Sequence, residues 1–174
     1  IIIEDTTSPL IEMGSSDLLL ECADGNNGVL ITAWLNNNGG AVGSDGCSDE
    51  ALEWSYSSGI VINECGSTTR TLYVFEVEDN CGNTSTTSAE VIIEDTTSPD
   101  LTLPESQVEE CGAILESLSD WQSEAMSTDA CGDVEISVVL WNTISDCGGS
   151  LTEEYLFTAT DECGNETTGI STYE

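Results

Sequence analysis

With 34 acidic residues against a single basic one, Arg70, the 174-residue chain carries a formal charge of −33 and holds neither lysine nor histidine. That balance makes nucleic acid and anionic lipid poor partners, and without histidine or lysine the usual bases and Schiff-base chemistry are missing. No apolar run reaches the roughly 20 residues that a membrane-spanning helix needs, so no direct membrane insertion is expected.

The opening string IIIEDTTSP, Ile1–Pro9, returns as VIIEDTTSP at Val91–Pro99 with one change. Four cysteines follow each copy: Cys22, Cys47, Cys65 and Cys81, then Cys111, Cys131, Cys147 and Cys163. The chain therefore reads as two tandem modules, 1–94 and 95–174, with residues 1–4 as the last strand of a preceding repeat. Modules of about 85 residues bury a limited core, and evenly split cysteines are how a secreted scaffold compensates. A zinc site is disfavoured, because there is no histidine and no close cysteine pair.

Along the first module, Leu10–Cys22 reads as extended. Leu30, Ile31, Trp34 and Leu35 then fall at helical spacing, as do Ile114, Leu118, Trp121 and Ala125 in the second. Asn27 and Gly28 would start the first helix, and Gly39-Gly40 would stop it. A loop with Asp45-Gly46-Cys47 precedes a strand carrying Trp54, aligned with Trp141 in the second copy. Cys65-Gly66 and Cys147-Gly148 mark turns. The clearest strand follows, with Tyr73, Phe75 and Val77 on one face and Val74, Glu76 and Glu78 on the other; Tyr155, Phe157 and Ala159 repeat it. After the turn Asn80–Thr84 a last strand runs to Glu94. Short strands separated by Gly, Asn, Asp and Ser turns predict an all-β fold: tandem immunoglobulin-like β-sandwich repeats, each with one short helix and two disulfides.

Strand geometry narrows the disulfide pairings. Eight extended residues span roughly 26 Å, so Cys65 and Cys81, which flank Thr71–Glu78, cannot reach the ~7 Å that a bridge requires. In a sandwich the loops carrying Cys47 and Cys81 share the end where the module begins. Cys22 and Cys65 share the far end. The expected bridges are Cys22–Cys65 and Cys47–Cys81, with Cys111–Cys147 and Cys131–Cys163 in the second copy. Each would contribute roughly 4 kcal/mol in the chain-entropy model.

The same topology gathers oxygen. Asp5, Asp45, Asp79 and Asn83 would converge at the start of the first module, and Asp95, Asp129, Asp161 and Asn165 at the start of the second. Glu4 and Glu94 lie beside the junctions. Oxygen donors on flexible loops suit calcium, at the 0.1–1 mM affinity of an extracellular module. A competing account makes Asp-x-Cys-Gly-Asn a tight turn, because Asp and Asn bond their own backbone and Gly82 and Gly164 fit a positive-φ position.

Asn83-Thr84-Ser85 and Asn165-Glu166-Thr167 match the N-glycosylation acceptor pattern, but both overlap the proposed metal loop, and a turn role is more economical. Asp5-Thr6-Thr7 and Asp95-Thr96-Thr97 match a short O-glycosylation motif of Bacteroidetes, with Thr6 and Thr96 as acceptors.

The IEDTTSP linkers, Ala33-Trp34-Leu35-Asn36-Asn37-Asn38-Gly39-Gly40-Ala41, Asp45-x-Cys47-Ser48, Trp54-Ser55 and Asp79-x-Cys81-Gly82-Asn83-Thr84-Ser85 together resemble the HYR-like, immunoglobulin-type repeats of large Bacteroidetes surface proteins, such as SprB-type gliding-motility adhesins. The second copy lacks the Leu-Asn-Asn-Asn-Gly-Gly stretch, and its Trp141-to-Cys147 spacing is shorter. The resemblance implies type IX secretion, display at the cell surface and a role in adhesion or gliding. The function expected is a structural segment of a secreted cell-surface adhesin or filament, not an enzyme, with adjacent repeats of the same chain as partners. The alternative is a module that binds surface glycans or the substratum, or a spacer of a secreted enzyme. The stalk reading expects all four tryptophans to be buried. A glycan-binding reading expects exposed aromatics.

Overall fold

Alternation in Thr69–Glu78 (β5) organises the first half of the chain. Phe75 and Val77 are fully buried and Glu76 and Glu78 exposed, so one face of the strand makes core and the other meets water. The computed structural model describes residues 4–23, 25–47, 52–108, 117–145, 147–149 and 151–174, with the backbone alone at 147. The chain divides into two compact units, Ile1–Asp95 and Thr96–Glu174. Each is mostly β and follows an immunoglobulin-like sandwich plan.

In the first unit, Leu10–Met13 (β1) pairs antiparallel with Val42–Ser44 (β3) to form the smaller sheet. The larger sheet has the order β2-β6-β5-β4, with Leu18–Glu21 (β2) running parallel to Thr84–Glu94 (β6) and Glu53–Asn63 (β4) at one edge. Asn27–Asn36 (α1) starts where the sequence places it, and a 3-10 turn at Asn38–Gly40 follows. Gly39 has φ 64°, and a Cβ there would sit 2.8 Å from the Ser15 Cβ and 3.0 Å from the Phe75 ring, so the helix end meets the core through a residue with no side chain. Trp34 holds α1 down. Its ring meets Tyr73 and Phe75 edge-on, with centroids 5.6 and 5.2 Å apart, and its Nε1 donates to the Ser16 carbonyl at 3.0 Å. The expected helical stripe is only partly inward: Ile31, Trp34 and Leu35 are half-buried, while Leu30 is exposed.

The second unit repeats the scheme. Asp100–Thr102 (β7) pairs with Met126–Thr128 (β8), and the larger sheet has the order β11-β10-β9. These strands are Val134–Ser145 (β9), Leu151–Asp161 (β10) and Glu166–Tyr173 (β11). Gln107 bridges Tyr173 in parallel, standing where β2 stands in the first unit. The helix here is a single turn, Leu118–Gln122 (α2), capped by Ser117, whose Oγ accepts from the Asp120 N–H at 3.2 Å. Ile114 and Cys111 lie outside the described residues. Trp121 is fully buried against Tyr155, Phe157 and Tyr173, and its Nε1 donates to the Glu105 carbonyl at 2.7 Å.

Strand register corrects one alignment. Trp54 stands opposite Val77 and Tyr56 opposite Phe75. In the second unit, Ile136 stands opposite Ala159 and Val138 opposite Phe157. The counterpart of Trp54 is therefore Ile136, not Trp141. Trp141 is the extra residue of a bulge where the register jumps between Leu140 and Asn142, and it is 61% exposed. The expectation of four buried tryptophans holds only at Trp121: Trp34 and Trp54 are half-buried, and Trp141 is exposed.

Candidate metal site at the acidic turns

Five aspartates at the module starts and loop turns fold in one way. Each offers a carboxylate oxygen to the backbone N–H two residues on: Asp5 to Thr7 at 3.0 Å, Asp45 to Cys47 at 2.9 Å, Asp79 to Cys81 at 2.8 Å, Asp129 to Cys131 at 2.7 Å and Asp161 to Cys163 at 2.8 Å. These are Asx turns, and they explain why Asp precedes each of these cysteines by two.

The hairpin turns between the last two strands go further. The Asp79 Oδ1 also accepts from the Asn83 N–H at 2.9 Å, and its Oδ2 accepts from the Asn83 Nδ2 at 2.8 Å. Backbone bonds Asp79 N–H to Asn83 O and Gly82 N–H to Asp79 O close the loop, with Gly82 at φ 86°. Asp161, Gly164 and Asn165 build the same turn, with both Asn165 bonds at 2.8 Å. Hydrogen bonds from Asn83 above all hold the Asp79 carboxyl below the usual range. Burial opposes the same shift at Asp161, but the bonds from Asn165, Cys163 and Gly164 outweigh it and hold that carboxyl low. Asn83 also donates to the Asp5 carbonyl at 3.3 Å, tying the start of the chain to this turn.

Ligand atoms of Asp5, Asp45 and Cys47 lie within 4.8 Å of one another, and so do the carboxylates of Asp129 and Asp161. Asp95 ends the first unit, where its carboxylate lies equally close to Glu21 and Cys22. The sequence reading missed that grouping at the far end, although Glu21 beside Cys22 was its visible signal. Asp79 and Asn83 stand next to the Asp5 pair but are occupied with the hairpin. The side-chain amides of Asn83 and Asn165 are likewise engaged in turns. Thr6 and Thr96 are exposed.

The cysteines divide differently in the two units. Cys22, Cys65, Cys131 and Cys163 are each disulfide-bonded. Cys47 and Cys81 are exposed free thiols, where the sequence reading expects a bridge. They do stand near each other. Asp5 above all, then burial, Asp45, Cys81 and Asp79, push the Cys47 thiol up, so it keeps its proton among carboxylates. Of the other expected pair, Cys111 and the Cys147 side chain lie outside the described residues.

No family model matches the chain, and no curated protein matches it. Solved protocadherin ectodomains are similar in fold. The protocadherin gamma B4 extracellular domain is 10% identical over 95% of this chain and 34% of that one, with a TM-score of 0.37. A protocadherin gamma B7 EC3-6 cis-dimer structure is 11% identical over 97% and 48%, with a TM-score of 0.31. Protocadherin gamma C5 EC1-3 is 10% identical over 96% and 68%, with a TM-score of 0.31. The chain thus spans less than half of the first two. Likeness at this level carries no argument about residues, ligands or partners.

Proposed function

We propose that the chain is a pair of structural repeats from a secreted cell-surface adhesin or filament. The observation that carries this reading is repetition of the scaffold: both units build the same tryptophan anchor and the same Asp–Asn hairpin lock. Their acids serve turn geometry. Disulfide bonds in both units fit an oxidising, extracellular setting. The test is antibody labelling of intact cells with serum raised to these repeats, together with the full-length gene product. Surface labelling and further copies of the module agree with the reading. A cytoplasmic location, or a single copy fused to an enzyme, overturns it. A sorting domain for type IX secretion and a gliding defect on deletion would place it among the gliding adhesins.

Calcium belongs to the same proposal. The donors are carboxylate oxygens, which fit a hard cation. Asp5 and Asp45 would hold it in the first unit and Asp129 in the second. Asp79 and Asp161 have most of their roughly four acceptor positions committed to their hairpins. Backbone oxygens and water would complete the 6–8 ligands that calcium takes. The cation would neutralise charge that otherwise opposes compaction. Melting the chain in EDTA and in millimolar calcium is the check: the Tm should rise with calcium, and an unchanged transition removes the ion from the account.

The bridges proposed are Cys22–Cys65 and Cys131–Cys163. Register supports the first, because the Cys22 N–H donates to Glu94 and the Cys65–Thr68 turn abuts Thr69, which faces Ile93. The closeness of the Asp129 and Asp161 turns supports the second. Non-reducing peptide mapping that joins Cys22 to any other cysteine overturns the first assignment.

A second reading, as a glycan- or surface-binding module, draws on exposed Trp141 and Tyr56. Its test is a glycan array probed with the Trp141→Ala chain alongside the unaltered one.

A further inference from the structure

Exposure sorts the described cysteines. Cys47 and Cys81 are exposed free thiols, whereas the bonded Cys22, Cys65, Cys131 and Cys163 are buried or half-buried, Cys131 being only 1% exposed. The two free thiols hold the places that Cys131 and Cys163 hold in the second unit. Each of these four follows an aspartate by two and donates its N–H to that carboxylate, at 2.7–2.9 Å. The local backbone thus presents all four alike, yet only those of the second unit are oxidised. The first unit also brings its thiols together. The Cys47 Sγ lies within 4.8 Å of the Asp5 and Asp45 carboxylates, and Asn83, two residues after Cys81, donates to the Asp5 carbonyl at 3.3 Å. Cys47 and Cys81 are near enough to interact electrostatically.

We propose that Cys47 and Cys81 are a reversible redox pair, which closes to a disulfide by exchange with a low-molecular-weight disulfide of neutral or positive charge. First, the thiolate of one cysteine attacks a sulfur of the reagent, forms a mixed disulfide and expels one small thiolate. The other cysteine, as thiolate, then attacks the protein sulfur of that adduct and expels the second. Two electrons pass from the protein to the reagent, and the two protons lost by the cysteines leave on the two small thiols. Exposure leaves the closed bridge within reach of reductants, unlike the bonded cysteines farther in. Charge selects the reagent. Asp5, Asp45 and Asp79 flank the pair in a chain that carries −33, so an anionic disulfide is repelled and a cationic one attracted. Closure ties the Asp45 loop to the Asp79–Asn83 hairpin. The redox state of the pair therefore sets how firmly the acidic loops of the first unit are held.

The test uses the 174-residue chain in EDTA with cystamine, a cationic disulfide, and glutathione disulfide, an anionic one. Expected after cystamine is the loss of both free thiols, with peptide mapping that joins Cys47 to Cys81 in one chain and finds no lasting adduct. A Cys47→Ser or Cys81→Ser chain has no resolving thiol and should instead keep a cysteamine on the remaining cysteine. Dilute dithiothreitol should reopen the pair while Cys22, Cys65, Cys131 and Cys163 stay bonded. The rate advantage of cystamine over glutathione disulfide should shrink between about 0.01 M and about 1 M salt, where the Debye length falls from about 30 to about 3 Å. A parent chain that keeps adducts on both cysteines, or joins them to other chains, overturns the proposal. So does a bridge that opens only together with the other four cysteines. A rate ratio independent of salt overturns selection by charge. None of these results touches the surface-repeat reading, which rests on cell labelling, or calcium, which rests on melting with the ion.

Discussion

The hairpin at Asp79–Asn83 and the hairpin at Asp161–Asn165 use the same atoms. The carboxylate bonds agree within 0.1 Å, and the glycines sit at φ 86° and 88°. Their cysteines differ: Cys81 is a free thiol, while Cys163 is disulfide-bonded. A turn that keeps its shape with and without the covalent link does not owe that shape to the link. The Asp side chain satisfies two backbone N–H groups and fixes its Asn partner, and this local bonding positions the acidic oxygens. A second contrast lies beneath the turns. The anchor tryptophan is sealed in one unit and half open in the other, so the two cores should respond unequally to its loss.

That inequality sets the largest expected effect. Trp121→Ala removes a fully buried ring from between Tyr155, Phe157 and Tyr173, and should cost about 3–5 kcal/mol, enough to unfold a marginal unit. Trp34→Ala removes a ring that is partly solvated already and should cost clearly less. Urea unfolding, with hydrogen exchange to assign each transition to a unit, measures both. Equal losses would mean that the difference in burial is unimportant.

Next come the locking carboxylates. Asp79→Ala or Asp161→Ala strands the N–H groups of the turn and should cost about 1–3 kcal/mol. Asparagine is an informative alternative, because its amide would face the Asn83 or Asn165 amide donor to donor. The pH dependence has a defined sign. Both carboxyls are held below the usual aspartate value of about 3.9, so their stabilising contribution is complete above that pH and is lost as pH falls through the lower folded-state value. Stability measured from pH 6 downward should therefore decline around and below about pH 4. The decline should flatten in the double variant Asp79→Ala, Asp161→Ala. An unaltered acid limb in that variant would shift the origin of acid sensitivity to other carboxyls.

The repeat, the buried face of β5 and the Asp-x-Cys turns were legible because each is a short-range pattern. Alternating Tyr73, Phe75 and Val77 can bury only one face, and Asp two residues before an N–H can close only a small ring. The place of Trp141 was not legible by matching residue types. Trp54 lies 11 residues before Cys65 and Trp141 lies 6 before Cys147, a difference of five. The five positions between Ile136 and Trp141, with the bulge among them, carry it out of the place that Trp54 occupies, and an odd shift in a pleated strand reverses the side chain's face. The shorter spacing was the available signal. The free state of Cys47 and Cys81 was illegible for another reason: topology brings the two loops together, but spacing does not say whether neighbouring thiols are bonded, and the carboxylate that raises the Cys47 thiol most is that of Asp5, distant in sequence and brought near only by the fold.

The smallest effect separates the units by charge. Arg70, the sole cation of the side chains, donates from its Nη1 to Glu90 at 2.7 Å, and its Nε lies 3.6 Å from Glu64; the second unit has no counterpart. All three side chains are substantially exposed, so solvent screening leaves the pair of bridges only a small contribution to stability. Arg70→Gln keeps much of the stem that covers β5 and removes the charge, leaving Glu64 and Glu90 facing each other unneutralised. Its urea midpoint should fall slightly at low salt, in the first unit alone, and approach the parent value near 1 M salt as screening shortens the Debye length to about 3 Å. A loss that persists undiminished at high salt would show that Arg70 acts through packing of its stem. In that case the first unit tolerates its acidic excess without an internal cation, just as the second one does.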